Sequence, residues 1–169
     1  VQFGTPNRGS LSMLTVLLGR DRLTRRLGLL AEAFRPKGEL LDVVRHYPGV
    51  LELLPWPQDD ATPDYFTASH WADLAQDDAR IRLNWRAPEE AALVRARAVI
   101  QALNQAPLPA EQCAYVAGRA RTPAAVCVQQ GQLEIAWSED GDGRVLWQDG
   151  CPSGVAIHYV DAAHGDLLR

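Results

Sequence analysis

Two turns near the C-terminus carry the side chains best suited to chemistry. Gly141-Asp142-Gly143-Arg144-Val145 presents a carboxylate, and Asp161-Ala162-Ala163-His164-Gly165 presents an imidazole, each after an apolar run. Such groups can act as a couple. The imidazole takes a proton from a hydroxyl and later gives it to a leaving group, while the carboxylate fixes the tautomer and stabilises the charged ring. A nucleophilic serine would complete the set, but no Gly-x-Ser-x-Gly elbow occurs in the 169 residues. Ser10 and Ser12 flank Leu11 at a helix start, where capping accounts for them, and Ser153 follows Cys151-Pro152 in a turn.

Each of these residues also has a plainer reading. Asp and Gly populate turns for local reasons, so Asp142 alone reads as a turn residue. His164 alone reads as a surface histidine ahead of a helix. Asp140 could replace Asp142 as the acid, and Asp161 lies near enough to His164 in sequence to be a decoy. The run Asp140–Gly143 faintly resembles a calcium loop. However, Arg144 stands where the next oxygen ligand belongs, and Cys151 where the closing glutamate belongs. His46, His70 and His158 have no partner motif, and His158 lies inside a strand pattern. Cys113, Cys127 and Cys151 lack a C-x-x-C spacing and cannot all pair, so they are expected reduced, in or near a core. No metal and no cofactor is implied.

The elements that must position the two turns follow from hydrophobic period and punctuation. At 47% hydrophobic and 22% charged, with a net charge of −4, the chain has the composition of one globular core. Its arginines are scattered among acids, so no basic stripe points to nucleic acid. No apolar run approaches the roughly 18–20 residues a bilayer span needs, and no signal peptide is visible. Val1-Gln2-Phe3 reads as the end of a buried strand running into the Gly4–Gly9 turn. Ser10 caps a helix over Leu11–Leu18 that Gly19 stops. Leu23, Leu27, Leu30 and Phe34 predict a second helix, and Glu39 to His46 a third. Val50–Leu54 forms an apolar turn, and residues 58–64 form an exposed loop.

Residues 65–83 predict short helices. Pro88 opens a helix whose apolar face is Ala92, Leu93, Ala96, Val99, Ile100 and Leu103. From Gln112 the period changes. Cys113–Ala117 is a buried strand, Ala124–Gln129 and Gln132–Trp137 flank a Gln130-Gly131 hairpin turn, and Val155–Val160 is a last buried strand. Phe3 at one end and Gly165–Arg169 at the other look like elements cut short, which predicts a piece of a longer protein.

With these segments laid out, the chain resembles the C-terminal half of lipase-like α/β-hydrolases, in particular the lecithin:cholesterol acyltransferase-like and GPI-inositol-deacylase-like group. Gly4-Thr5-Pro6-Asn7-Arg8-Gly9-Ser10 resembles that group's Gly-Thr-Pro-His-Arg-Gly-Ser loop. Tyr47–Pro55 resembles a turn of its helical cap, and Gly141–Leu146 resembles its Gly-Asp-Gly-Thr-Val-Pro acid loop. Acid first and histidine later is also the order in which α/β-hydrolases present these residues. Asn7, Arg144 and Leu146 depart from the pattern, standing where His, Thr and Pro are frequent.

The resemblance implies an α/β fold: the last three parallel strands of a hydrolase sheet plus an inserted hairpin, with a helical cap. Residues 1–10 and 63–169 would form the core part and 11–62 the cap. It implies that Asp142 and His164 are catalytic. Leu14, Leu18, Leu51, Leu54, Trp56 and Trp147 are candidate substrate-contacting residues, although the leucines could equally be plain core and Trp147 a core tryptophan. The implied activity is that of a serine hydrolase or acyltransferase on esters, lipid esters foremost. The missing N-terminal half would supply nucleophile and oxyanion hole, and the isolated chain would be silent. Residues Val1–Phe3 would leave an edge strand open to that half or to a second copy in a homodimer. The rival reading is a degenerate, non-enzymatic binding or scaffold module, favoured by Arg144 and Leu146. A cytoplasmic setting is favoured for either.

Overall fold

The computed structural model describes residues 1–21, 37–59, 62–77, 87–106, 108–130 and 132–169. The helix expected at Leu23–Phe34, the stretch from residue 78 to Leu83 and Gly131 of the hairpin turn lie outside them. The fold is mixed α/β. Strands β1 (Gln2–Phe3), β2 (Ala114–Ala117) and β5 (Ala156–Tyr159) form a parallel sheet in the order β1-β2-β5. Tyr115 pairs with Gln2 on one side and Ile157 on the other. Strands β3 (Thr122–Gln129) and β4 (Gln132–Ser138) form a separate antiparallel hairpin. Its register shifts between Pro123 and Ala125, where proline has no amide to give the ladder.

Parallel neighbours need long crossovers, and these carry the remaining elements. Between β1 and β2 run α1 (Leu11–Leu17), α2 (Lys37–Arg45), α3 (Pro48–Leu51), α4 (Ala68–Asp77) and α5 (Glu90–Gln105). Between β2 and β5 run the hairpin and the short α6 (Trp147–Gly150). Among the described strands of this sheet, only β2 has a strand on both sides. Its Tyr115 and Ala117 are buried, whereas Phe3 on β1 and Tyr159 on β5 are 42% and 44% exposed. The strand at Val155–Val160, expected to be buried, forms an edge opposite β1, and edge position leaves its side chains open.

Helix α1 begins as its sequence predicts. Ser10 is extended, and its Oγ accepts from the Ser12 amide, satisfying one of the helix's unpaired first-turn donors. Glu89 caps α5 and Glu90 sits in its first turn, against the positive end of the dipole. Pro88 therefore precedes the helix rather than opening it. The buried stripe of α5 is Leu93, Ala96 and Ile100, while Val99 and Leu103 are exposed, so its apolar face is narrower than the spacing predicts.

Leu11, Leu14, Leu17, Leu18, Leu51 and Leu54 join Trp71, Leu93 and Leu133 in one apolar cluster. Each buried leucine contributes about 1.5–3 kcal/mol by leaving water. The described helices of segment 11–62 thus share a core with α4, α5 and β4. A smaller cluster of Tyr115, Ala117 and Val155 lies at the parallel sheet, with Cys113, Cys151 and Trp147 against it. All three cysteines are free.

Candidate active site

The acid loop is reached by a detour. After β2 the chain passes Ala120, makes the hairpin and comes back, and the Ala120 amide donates to the Gly141 carbonyl at 2.7 Å. A parallel bridge between Ala120 and Asp142 therefore returns the carboxylate to the C-terminal end of β2. Thr122, fully buried, fastens the return. Its Oγ1 donates to the Ala120 carbonyl and accepts from the Gly143 amide, both at 2.7 Å. The histidine loop arrives from β5 beside it: the Arg119 amide donates to Ala162 O, and the His164 amide donates to Asp142 O at 2.7 Å.

The two side chains meet. His164 Nδ1 lies 2.8 Å from Asp142 Oδ2, although 22 residues separate them in sequence. The Asp142 side chain is 2% exposed and that of His164 is 38% exposed. The other carboxylate oxygen, Oδ1, accepts the amides of Arg144 at 2.9 Å and Val145 at 2.7 Å. A buried carboxylate is tolerable because these donors replace its lost water. Both lone-pair faces are thereby assigned: Oδ1 to its own loop, Oδ2 to the imidazole. With Nδ1–H donating to Oδ2, the neutral ring carries its acceptor lone pair on Nε2. Among the described residues no group hydrogen-bonds Nε2.

Gly4, directly after β1, completes the floor. A Cβ there would lie 2.6 Å from Asp142 Oδ2 and 2.9 Å from His164 Nδ1, and φ is +54°. Only glycine allows the backbone this close in that conformation. Gly118, after β2, is similarly confined, with its Cβ position 2.2 Å from Ala162 O and 3.0 Å from Asp142 Cβ. All three parallel strands thus end at one pair of side chains.

The loop is also strapped to α1. Ser10 Oγ and Ser12 Oγ both donate to the Arg144 carbonyl, the latter at 2.8 Å. The Arg144 guanidinium pairs with Asp21 at 2.7 Å, just beyond the other end of the helix. Capping alone accounted for these serines in the sequence. Their second role depends on a residue more than 130 positions away, and no local signal reveals it. Arg144, the departure in the acid motif, has a partner that accommodates it.

The alternative acids do not reach the ring. Asp140 and Asp161 are exposed, and Asp140 accepts from the Trp147 amide through its carbonyl. His46 and His158 are exposed, while His70 packs edge-on against Tyr65 and burial lowers its pKa. Of the candidate substrate-contacting residues, Leu14, Leu51 and Leu54 are fully buried and Leu18 is 6% exposed. They belong to one apolar cluster, packed with Leu11, Leu17 and Trp71. Trp147 packs at the parallel sheet: Nε1 donates to Gly118 O at 2.9 Å, and the ring meets Tyr159 edge-on. Trp56 lines an open cleft. No protein family, curated protein or solved structure matches this chain.

Proposed function

We propose that Asp142 and His164 are the acid and base of a serine hydrolase or acyltransferase acting on esters, lipid esters foremost. On this reading β1, β2 and β5 are the last three strands of an α/β-hydrolase sheet. The nucleophilic serine and the oxyanion donors come from outside residues 1–169. One observation carries the reading: a buried, doubly hydrogen-bonded carboxylate holds one nitrogen of a part-exposed imidazole at 2.8 Å and leaves the other open. The order of acid and histidine, and their place on adjacent loops after parallel strands, support it further.

Chemically, Nε2 takes the proton of the serine hydroxyl as that oxygen attacks the ester carbonyl. The imidazolium so formed is stabilised by Asp142 and gives the proton to the departing alkoxide. The same histidine then takes a proton from the acceptor, water or an alcohol, as that oxygen attacks the acyl-serine carbonyl, and returns it to the departing serine oxygen, which releases the acid or the new ester. Asp142 stays ionised throughout.

A fluorophosphonate probe on the full-length protein carrying residues 1–169 tests this. It should label a serine outside these residues, and His164→Ala should slow labelling by about 10³-fold or more. Labelling indifferent to both Asp142→Ala and His164→Ala would sink the assignment. Complete absence of labelling would favour a non-enzymatic binding module. The isolated chain should hydrolyse no ester at all; activity there, abolished in His164→Ala, would place the nucleophile within it.

A further inference from the structure

A second feature lies apart from the Asp142–His164 pair. A cleft of about 940 Å³ opens between the Thr5–Arg8 loop, the segment after α3 and the C-terminal half of α5. Neither Asp142 nor His164 lines it. Its volume falls within the range of small-molecule sites. Two independent features of its lining need an explanation. Leu103 and Leu108, 63% and 44% exposed, face it alongside Ile100 and Trp56 instead of joining the core.

Arg8 stands on the same lining beside Trp56, whose amide donates to its carbonyl at 2.8 Å. Its guanidinium makes no ion pair among the described residues. Nη1 donates to Gln58 Oε1 at 2.9 Å and Nη2 to Ser153 Oγ at 3.3 Å, both neutral partners. The nearby buried carboxyl of Asp149 is separated from it by the Gln58 amide, whose Nε2 reaches Asp149 Oδ1 at 3.5 Å. A guanidinium has five N–H donors in a planar fork that suits a carboxylate or phosphate, so donors remain for a ligand.

We propose that this cleft binds a single-chain amphiphile with an anionic head, the head on Arg8 and Ser153 and the chain along Trp56, Ile100, Leu103 and Leu108. Charge complementarity sets the orientation. The lining carries Arg8 as its cation and Glu52 as its acid, so an anionic head is drawn to the guanidinium and repelled by the carboxylate. The chain covers the leucines that folding leaves wet. The head is a carboxylate or a phosphate monoester, since both match the fork. This site does not require the Asp142–His164 pair to be catalytic, and its test leaves that pair untouched.

The test is calorimetric titration of the purified chain with decanoate, decyl phosphate, decanol and decyltrimethylammonium, each below its micellar concentration. At least one anion should bind tenfold or more tightly than decanol, and the cation should bind least; which anion wins identifies the head. Arg8→Gln should bring the anions to the level of decanol. Leu103→Asp, at a position exposed enough to be tolerated, should weaken all of them at least tenfold. Glu52→Gln should leave anion binding equal or tighter. Four results would overturn the proposal: no anion binding, anion binding unchanged in a folded Arg8→Gln, binding unchanged in Leu103→Asp, or anion binding weakened in Glu52→Gln. Should Arg8→Gln fail to fold, Leu103→Asp and Glu52→Gln decide alone.

Discussion

Around Asp142, polar contacts of defined direction fix one carboxylate: two loop amides on Oδ1 and an imidazole on Oδ2. Around Leu14, enclosure by Leu11, Leu18, Leu51, Leu54 and their neighbours fixes an alkyl chain with no directional bond. The acid loop is therefore sensitive to single atoms, whereas the helical layer is sensitive to volume. A hydrogen bond is lost when its geometry fails, but apolar packing weakens in proportion to the space left empty. The difference teaches that the two regions should fail separately, each with its own observable.

Leu14→Ala should give the largest loss of stability, about 3 kcal/mol for a fully buried leucine, measured by urea unfolding. The imidazole resonances of His164 in ¹⁵N spectra should stay unchanged. A moved His164 signal would show that the two regions are mechanically one.

Asp149 provides a pH-dependent contrast. Burial raises its pKa from 3.8 to about 6, and the Arg8 guanidinium works against that shift. The folded form then holds the proton more tightly than the unfolded chain, so stability falls as pH rises from about 4 through about 6. Above that window the charged carboxylate costs up to about 3 kcal/mol. Asp149→Asn should stabilise the protein at pH 7.5 by up to that amount, and the gain should vanish near pH 3.5. A gain equal at both pH values would contradict the burial argument.

Gly4→Ala should cost about 2 kcal/mol through its positive φ and the contacts with Asp142 and His164. Unlike Leu14→Ala, it should also perturb the Nδ1–H signal of His164. Retention of that signal would mean the pair does not depend on the close approach of the backbone.

Arg144→Ala should have the smallest effect, within about 1 kcal/mol, because its guanidinium is part-exposed. Its carbonyl still accepts from Ser10 and Ser12. Ser12→Ala should be felt more at His164 than Arg144→Ala is. The reverse order would make the ion pair, and not the hydroxyls, the strap on the acid loop.

Much of this was legible from local chemistry. Ser10 before an apolar run marks a helix start, and Gly19, with φ +65°, marks its stop. The hairpin strands declare themselves by composition and by the break between them, at Gln130 with φ +52°. The parallel strands were identifiable as strands, but their burial was not. A short apolar run looks the same at an edge as in the middle, and only pairing made Tyr159 an edge residue. Leu103 repeats the point on a helix: its spacing puts it beside Ile100, yet it is 63% exposed. Leu14, Leu18, Leu51 and Leu54 lie in the core cluster, a placement their spacing leaves open because spacing cannot tell a wall from a core.

By itself the sequence determined which reactive groups exist, their order and the turns that hold them, because turn, cap and strand preferences act over a few residues. Only the tertiary structure decided that Asp142 rather than Asp140 or Asp161 meets His164. It also decided that Gly4 must be small and that Arg144 has Asp21 for a partner. Those outcomes depend on β1 and β5 pairing with β2, which brings together backbone segments 113 and 42 residues apart. Contacts across such separations are set by which surfaces bury one another, and no short stretch of chain encodes that.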